Sequence, residues 1–254
     1  MKNDEFGDRM KALEKEFTSQ KISPKKWMAV RVDGKGFSKF TKGFKKPFDE
    51  NIWTAFLETT KAIVSGTGAS VGYFQSDEIT LLYPPVEGER MFGGKTSKIN
   101  SVFSSMATAH FNDSGMWKKL ALFDCRCWEV DDVSEASNVI LWRAQDAKKN
   151  SISSHFRWTV GHAEMKGLSG VQMREYLKEH EFPLWEDVEM KYRYGTFVKP
   201  RTVTRLLEDE ELMKIPEHKR SEFKSTPVVR RVIEEKMSRY FGDLTFSERV
   251  EFIQ

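Results

Sequence analysis

Two short acidic segments follow apolar runs in this 254-residue chain. Asp33 comes after the apolar run Trp27–Val32, and Asp77 with Glu78 separates the apolar runs 69–74 and 79–83. Carboxylates brought together repel one another, and a bound Mg²⁺ ion relieves that repulsion while it bridges phosphate oxygens. The pattern therefore indicates a two-metal phosphoryl-transfer site, with simple turn chemistry as the alternative.

Two neighbours complete this acidic site. The Gly34 carbonyl is a natural further oxygen ligand, because no side chain blocks its approach to a metal ion. Glu78 alternates to the other side of its strand, where it serves either as a second ligand or as a hydrogen-bonded supporter. We predict Asp33, Asp77 and Glu78 as catalytic residues, with Asp33, Asp77 and the Gly34 carbonyl as metal ligands.

A basic segment opens the second long helix of the predicted core, at Gly93-Gly94-Lys95-Thr96-Ser97-Lys98. Lysines in the first turn of a helix oppose the helix dipole, so they make sense if an anion such as a triphosphate is held there. The alternative is a solvated basic helix start. The segment is not a P-loop, because Glu89 stands where that motif needs glycine.

A second basic segment follows Asp33. Gly34 and Gly36 allow the backbone to approach a ligand closely, and Phe37 either stacks on a base or seals the core. Farther along the chain, Trp142 and Asp146 share one face of a predicted helix, with Asn150 one turn on. The full set predicted to contact nucleotide is Gly34, Lys35, Gly36, Phe37, Lys46, Asp49, Ser76, Lys95, Ser97, Lys98, Asp146 and Asn150.

The elements that must position these residues follow the order strand, helix, strand, strand, helix, strand. Their predicted bounds are 27–33, 48–65, 69–74, 79–83, 95–111 and 120–128, after a short amphipathic helix around 13–17. Asp49 is a plausible N-cap of the first core helix. The order is that of the ferredoxin-like split βαβ fold with an antiparallel sheet, which polymerase palms, nucleotidyl cyclases and RRM domains share. Fold class is therefore predicted as α+β, and fold alone does not determine function.

The C-terminal half is predicted to be mostly helical. Ser134 caps a helix towards residue 158, residues 169–180 form another, and 192–206 form a β-hairpin. A last helix is predicted to begin at the N-cap Thr226 and to end before Gly242. The predicted division is a palm-like catalytic core over 1–130 and a region over 131–254 that packs on the palm, binds tRNA and supports oligomerisation.

Composition restricts the class of protein. The chain has 41 Lys and Arg against 38 Asp and Glu, so its net charge of +3 does not by itself identify a nucleic-acid binder. Apolar runs are too short to span a bilayer, and the N-terminus is too charged for a signal peptide. Cys125 and Cys127 stand too close together for a disulfide, which favours reduced thiols in a cytoplasmic protein.

The motifs, taken in order, resemble the tRNA(His) guanylyltransferase family over roughly residues 6 to 200. The segments that carry the resemblance are GDRMKALE, RVDGKGFSKFTKGFKKPFD, VGYFQSDEITLLY, GGKTSKINSVFSSMATAHFN, FDCRCW and LWRAQDAKKNSIS. The resemblance implies a polymerase palm, two Mg²⁺ ions, NTP substrates, tRNA as partner and a homotetramer. It also implies 3′-to-5′ polymerisation: ATP or GTP activates a tRNA 5′-monophosphate, and the 3′-OH of an incoming NTP then attacks that activated end.

Individual positions match the family motifs. Asp33 and Asp77 match the metal-binding carboxylates and Glu78 their acidic neighbour, and Asp49 matches the acid of the KP-x-D motif. The residues that match positions around the triphosphates are Lys46, Lys95, Ser97 and Lys98.

One motif departs from the tRNA(His) branch of the family, which carries His-Ile-Asn-Asn after Trp-Arg-x-x-Asp-x. Here that stretch is Lys148-Lys149-Asn150-Ser151, which resembles the guanylyltransferase-like branch that performs templated repair of tRNA 5′ ends. Templated repair is thus the expected function. The alternatives are non-templated guanylate addition to tRNA(His), a palm-type nucleotidyl cyclase, and a non-catalytic RNA-binding module of RRM topology.

Overall fold

The computed structural model describes residues 4–113, 115–236 and 240–254. Six strands and ten α-helices occur in this part of the chain. The strands are β1 Trp27–Gly34, β2 Val71–Gln75, β3 Glu78–Tyr83, β4 Phe123–Val130, β5 Thr196–Arg205 and β6 Val228–Lys236. The helices are α1 Glu5–Thr18, α2 Phe37–Phe40, α3 Glu50–Thr67, α4 Thr96–Asp113, α5 Val133–Thr159, α6 Gly170–Glu179, α7 Met190–Tyr194, α8 Asp209–Met213, α9 Glu217–Lys224 and α10 Phe246–Ile253.

All six strands form one sheet in the order β4-β1-β3-β2-β5-β6. Every neighbouring pair is antiparallel. The first four strands, with α3 and α4 between them, have the predicted βαββαβ arrangement, so the α+β palm-like fold is confirmed. In this order β1 and β3 are inner neighbours, and the β1–β3 register places Asp33 opposite Glu78.

Two predicted elements of the C-terminal half are wrong. Residues 192–206 do not form a hairpin of their own: they contain the end of α7 and the strand β5, which pairs with β2 and β6. The predicted last helix is β6 over Val228–Lys236, and its residues 237–239 lie outside the described residues. The run of β-branched residues in VVRRVI favours a strand, and Pro227 is tolerated just before it.

Three N-cap residues were predicted from the sequence, and the structure bears out one of them. The N-cap of α5 is Asp132, whose carboxylate accepts from the Glu135 N–H at 2.9 Å, so the predicted Ser134 cap is wrong by two residues. Thr226 follows the end of α9 and caps no helix start: its hydroxyl donates back to the Glu222 carbonyl of α9 at 2.8 Å. By contrast Asp49 caps α3 as predicted, accepting from the N–H groups of Asn51 and Ile52.

The core lies on both faces of the sheet. Met28, Val30 and Val32 of β1 pack on one face against α3 and α4, while Trp27 and Ala29 pack on the other against α5 and α10. Successive strand side chains point to opposite faces, so a strand covered on both must be nearly continuously apolar. This explains the apolar run that precedes Asp33.

Long helix α5 joins two cores. Its first half packs on the sheet through Val139 and Ile140, and its second half packs on α6 through Ile152 and Phe156. A helix of 27 residues is about 40 Å long. The helix thus extends from the sheet to a separate small core.

The cysteines lie on β4 and are free thiols. Both pack against the core shared with α3 and α4. Burial, with the nearby Cys127 as a smaller cause, raises the pKa of the Cys125 thiol to about 12. Burial raises the pKa of Cys127 to about 11. No helix in the described part of the chain combines the length and apolar character needed to cross a membrane.

Candidate active site

A cleft of about 470 Å³ opens at the end of the sheet where β1 stops. Its floor is the β2–β3 turn, one wall is the segment 37–53, and the other wall is the second half of α5 with α7. Both charged and aromatic residues line the cleft. The charged residues that line it are Asp33, Lys45, Lys46, Asp49, Asp77, Glu78, Arg143 and Lys191.

Asp33 and Asp77 meet at the floor of this cleft. Asp33 is near the end of β1, and the turn at Ser76, which has a left-handed φ of 55°, presents Asp77 beside it. The Gly34 N–H donates to the Asp77 carbonyl at 2.9 Å and fixes the two segments together. Neither carboxylate forms an ion pair within the described residues. The structure thus brings together the two residues predicted as metal ligands.

The charge of Asp77 is poorly compensated. Burial raises the pKa of the Asp77 carboxyl, and the neighbouring negative charge of Asp33 raises it further. An uncompensated carboxylate pair in a cleft that is open to ligands is the electrostatic condition under which a divalent cation binds well.

Gly34 allows the close approach that this site needs. A Cβ at this position would stand 2.4 Å from Phe37 Cδ2 and 2.9 Å from Asp77 Cβ, both closer than real side chains allow. Only glycine therefore fits between the ring of Phe37 and the backbone that carries Asp77.

Glu78 has a different environment. Its two carboxylate oxygens accept from Arg143 Nε at 2.5 Å and Arg143 Nη2 at 2.7 Å, and Arg31 Nε lies 3.8 Å away. Burial raises the pKa of Glu78, while the hydrogen bonds and charge of Arg143 oppose that rise. With both oxygens engaged, Glu78 fits the supporting role and not the ligand role, the two alternatives that the sequence left open.

Arg143 is a site residue that sequence reasoning missed. Besides Glu78 it contacts Asp146, with Nη2 and Oδ2 2.9 Å apart, and Asn150 Nδ2 donates to the same oxygen at 3.1 Å. Asn150 lines the cleft, whereas Asp146 lies behind it and holds Arg143. The Arg-x-x-Asp spacing on one helix was the available signal.

Of the residues predicted to contact nucleotide in the segment after β1, some line the cleft and others do not. Lys46 lines the cleft, and its Nζ donates to Thr41 Oγ1 at 3.2 Å. Asp49 lines the cleft, but its carboxylate caps α3 and accepts from the Lys45 N–H at 3.0 Å. Lys35 lies outside the cleft lining, exposed beside Gly36, whose φ of 64° needs glycine.

Phe37 belongs to the core. Its ring is 5% exposed and lies 5.5 Å from the rings of Phe56 and Phe111 and 5.8 Å from that of Phe123. Of the two alternatives for Phe37, this position favours sealing of the core over stacking on a base. Ser76 forms the floor of the cleft beside Asp77.

Lys95, Ser97 and Lys98 are not brought into the cleft. They stand at the N-terminal end of the 18-residue helix α4, whereas Phe111 near its other end packs under Phe37. Such a helix is about 27 Å long, so it carries these residues well away from Asp33. Their predicted contact with a triphosphate in this cleft therefore has no support in the single chain.

Sequence reasoning also missed three aromatic residues that line the cleft. Trp158, at the end of α5, is 56% exposed and lies 6.0 Å from Lys46 Nζ. Phe48 and Tyr192 stack with ring centres 4.8 Å apart and planes 9° apart. Because these rings come from three distant segments, no local motif could reveal them.

Comparison with known proteins decides the family. The family model described as tRNAHis guanylyltransferase (Thg1) matches residues 7–131. A bacterial tRNA(His) guanylyltransferase (Thg1)-like protein, solved in complex with ATP, is 35% identical, with a TM-score of 0.72 and coverage of 77% of this chain and 87% of that one. The chain belongs to the tRNA(His) guanylyltransferase family. Members of this family are nucleotidyltransferases, so the chain is an enzyme of that class.

Further relatives extend the similarity across the whole chain. A bacterial Thg1-like protein in complex with GTP is 29% identical, with a TM-score of 0.73 and coverage of 98% of this chain and 99% of that one. An uncharacterized protein of Acanthamoeba polyphaga mimivirus is 29% identical over 231 residues, which is 79% of each chain. The likeness to the tRNA(His) guanylyltransferase family therefore includes β5, β6 and the helices around them.

Proposed function

We propose that this chain is a Mg²⁺-dependent 3′-to-5′ nucleotidyltransferase that acts on the 5′ end of tRNA, with templated 5′-end repair as its reaction. The observation that carries the proposal is the uncompensated pair Asp33 and Asp77 on the floor of a cleft whose wall bears Lys46. Family membership and the ATP and GTP complexes of two bacterial relatives support nucleoside triphosphates as substrates.

The residues on the floor fit Mg²⁺. Proteins bind this ion through one or two carboxylates, and substrate phosphates and water complete its octahedral coordination. Asp33, Asp77 and the Gly34 carbonyl are such a partial set. Within the described residues no group of three or more His, Cys, Asp or Glu could hold a metal ion. When bound, two Mg²⁺ ions stabilise the attacking and leaving oxygens of an in-line displacement.

The chain's own residues perform the remaining tasks. Lys46 neutralises triphosphate charge from the wall of the cleft, and Lys45 stands next to it. Arg143 fixes Glu78, and Glu78 begins β3 directly after Asp77, so this ion pair positions the catalytic turn. These contacts preorganise the site and limit reorganisation during the reaction.

The reaction has two displacements. In the first, an oxygen of the tRNA 5′-monophosphate attacks the α-phosphorus of ATP or GTP, and pyrophosphate leaves. In the second, the 3′-OH of an incoming NTP loses its proton and attacks the activated 5′-phosphorus, and AMP or GMP leaves. The new 5′ end carries a triphosphate, from which pyrophosphate is finally removed.

The preference for templated repair depends on position 148. Lys148 stands where the tRNA(His) branch has histidine, and its Nζ lies 4.3 Å from the centre of the Tyr240 ring. The side chain does not line the cleft. Lys148 thus packs against Tyr240 outside the cleft lining, and the absence of histidine at this position supports the branch without tRNA(His)-specific addition.

Oligomerisation and the division into two regions stay predictions. Residues 131–254 contribute β5 and β6 to the same sheet as the palm, so the predicted boundary at 130 divides a single sheet. β4 and β6 are the edge strands in the described part of the chain, and each offers an unpaired edge to a second copy. Sedimentation equilibrium tests the predicted tetramer.

An extension assay tests the proposed function. It compares a 5′-truncated tRNA and full-length tRNA(His), both 5′-monophosphorylated, with all four NTPs and either Mg²⁺ or EDTA. We expect templated restoration of the truncated end, little addition to tRNA(His) and no reaction in EDTA. Efficient single-guanylate addition to tRNA(His) alone would contradict the repair assignment.

Two further outcomes would contradict the proposed chemistry. A cyclic nucleotide formed from NTP without RNA would identify a nucleotidyl cyclase. RNA binding that persists in an Asp33→Ala and Asp77→Ala double variant, with no Mg²⁺-dependent turnover in the wild-type protein, would identify a binding module.

A further inference from the structure

The segment between Asp33 and Asp49 is strongly basic. Residues 34–48 contain Lys35, Lys39, Lys42, Lys45 and Lys46 and not one Asp or Glu. This local excess stands out in a chain whose net charge is only +3. Because the protein as a whole is only weakly basic, the excess of lysines in this segment needs an explanation specific to the segment.

Aromatic packing turns these lysines outward. Phe37, Phe40 and Phe44 recur at helical spacing, and the ring of Phe40 lies 4.8 Å from that of Phe37 and 5.9 Å from that of Phe44. Because this side of the segment is held to the core, the lysines between the rings face solvent. Lys39 and Lys42 are both exposed.

A second segment docks on the first and adds to its charge. The ring of Trp117 lies 5.8 Å from Phe40 and 5.6 Å from Phe44, and the Lys35 N–H donates to the Leu122 carbonyl at 2.8 Å. The next two residues after Trp117 are lysines, and both are exposed. Five lysines of the two segments lie outside the cleft lining, and we name four of them the basic shelf: Lys39, Lys42, Lys118 and Lys119.

None of the shelf lysines forms an ion pair with a carboxylate in the described part of the chain, although other exposed lysines do, such as Lys11 with Asp8. The shelf also adjoins the site, because Ser38, just before Lys39, and Thr41, just before Lys42, line the cleft. It is therefore a surface with unpaired positive charge, held rigid by aromatic packing, that leads to the catalytic carboxylates.

We propose that the basic shelf binds the phosphodiester backbone of the RNA whose 5′ end enters the cleft. This inference rests on the proposed function. Lysines are point charges that contact successive phosphates without reading sequence, and such contacts position a nucleic acid. A free triphosphate is small enough to stay inside the cleft with Lys46, whereas only a polynucleotide extends far enough to cover lysines outside it.

The test is a quadruple variant, Lys39→Gln, Lys42→Gln, Lys118→Gln and Lys119→Gln. Binding of 5′-monophosphorylated tRNA is measured by fluorescence anisotropy in EDTA over a range of salt concentrations, so that catalysis does not enter. We expect Kd to rise roughly tenfold or more near physiological salt, and the slope of log K against log salt to fall by roughly 1 per lost phosphate contact. The KM for NTP at saturating RNA should not change.

A matched variant decides between this surface and the C-terminal half. It replaces four other exposed lysines without an ion pair in the described residues, namely Lys166, Lys178, Lys214 and Lys219, by glutamine. We expect a smaller loss of affinity than in the shelf variant. An equal or larger loss would overturn the inference, as would a shelf variant that raises only the KM for NTP. Circular dichroism melts verify that both variants are folded.

The two proposals fail in different ways. If wild-type protein extends truncated tRNA while the shelf variant keeps the wild-type Kd and salt slope, the shelf inference is wrong and the proposed function stands. If wild-type protein neither binds nor extends tRNA, the proposed function is wrong and the shelf inference falls with it.

Discussion

Asp77 and Glu78 are adjacent in the sequence, yet their environments are opposite. Asp77 faces the cleft beside Asp33 with no ion pair in the described residues, while Glu78 is held by two hydrogen bonds from Arg143 at 2.5 and 2.7 Å. Both residues line the cleft, but Asp77 lies in the turn whereas Glu78 begins β3, where Arg143 of α5 reaches it. One short turn thus supplies both a carboxylate that is available to bind a ligand and a carboxylate that holds the turn in place.

The two carboxylates therefore predict opposite responses to mutation. A carboxylate whose pKa is raised by burial and by a like charge opposes folding in its ionised form, so its removal should not destabilise the protein. A carboxylate paired with a buried arginine is part of the folded structure, and removal of its partner leaves an uncompensated charge. Three experiments test these opposite responses.

The largest effect is expected for Asp77→Asn. Loss of a metal-binding carboxylate should lower the rate of tRNA extension by roughly 10³-fold or more, because charge stabilisation in the transition state is lost. A raised pKa in the folded state means that ionised Asp77 lowers stability as pH rises. The thermal midpoint at pH 7 should thus be unchanged or higher in the variant.

The matched control is Asp124→Asn. Asp124 stands opposite Asp33 in the β1–β4 register, but it is exposed and paired with Arg126 at 2.8 Å. We expect this control to retain wild-type extension rates. An Asp77→Asn protein that retains full activity, or that melts well below the wild type, would contradict the assignment of Asp77 as a ligand residue.

The second effect is on stability. Arg143→Ala should lower the free energy of unfolding by about 3 kcal/mol in urea titrations, since it leaves Glu78 buried without its partner. The loss should be smaller at acidic pH, where the unpaired carboxyl becomes protonated. Adding Glu78→Gln to the same chain should restore more than half of the loss. A double variant as unstable as Arg143→Ala would show that the pair does not act as a unit.

The third and smallest effect concerns the spacing between the two segments of the site. Gly34→Ala should lower the free energy of unfolding by about 1–3 kcal/mol, because the new Cβ meets Phe37 and Asp77. It should also raise the Mg²⁺ concentration needed for half-maximal extension. Gly36→Ala is the control: it has a φ of 64° but no atom within 4 Å of the added Cβ, so only backbone strain of about 1 kcal/mol applies. Equal Mg²⁺ requirements in the two variants would contradict the close-approach argument.

The sequence predicted the palm because its signals are local. Apolar runs define β1, β2 and β3, and the strand order of the split βαβ unit brings Asp33 and Asp77 to one end of the sheet. β6 was mispredicted because its strand character depends on pairing with β5, a non-local contact that the helix signals at Thr226 and Pro227 obscured.

Sequence reasoning missed one site residue, Arg143, for a similar reason. Arg143 is 65 residues from its partner Glu78, and no motif announces an ion pair over that distance. Conversely, the basic start of α4 looked like an anion site in sequence, but the length of the helix moves it away from the carboxylates. Local chemistry identified candidate residues, and only the fold decided which of them meet.

The continuity of α5 has a consequence for ligand entry. One uninterrupted helix carries Arg143, which holds the catalytic turn, and Trp158, which lines the far wall of the cleft. One wall of the cleft therefore stands on a single continuous helix anchored in two cores, and not on a hinge between two bodies. Because this wall is fixed before a nucleotide enters, its residues should lose little conformational entropy on binding.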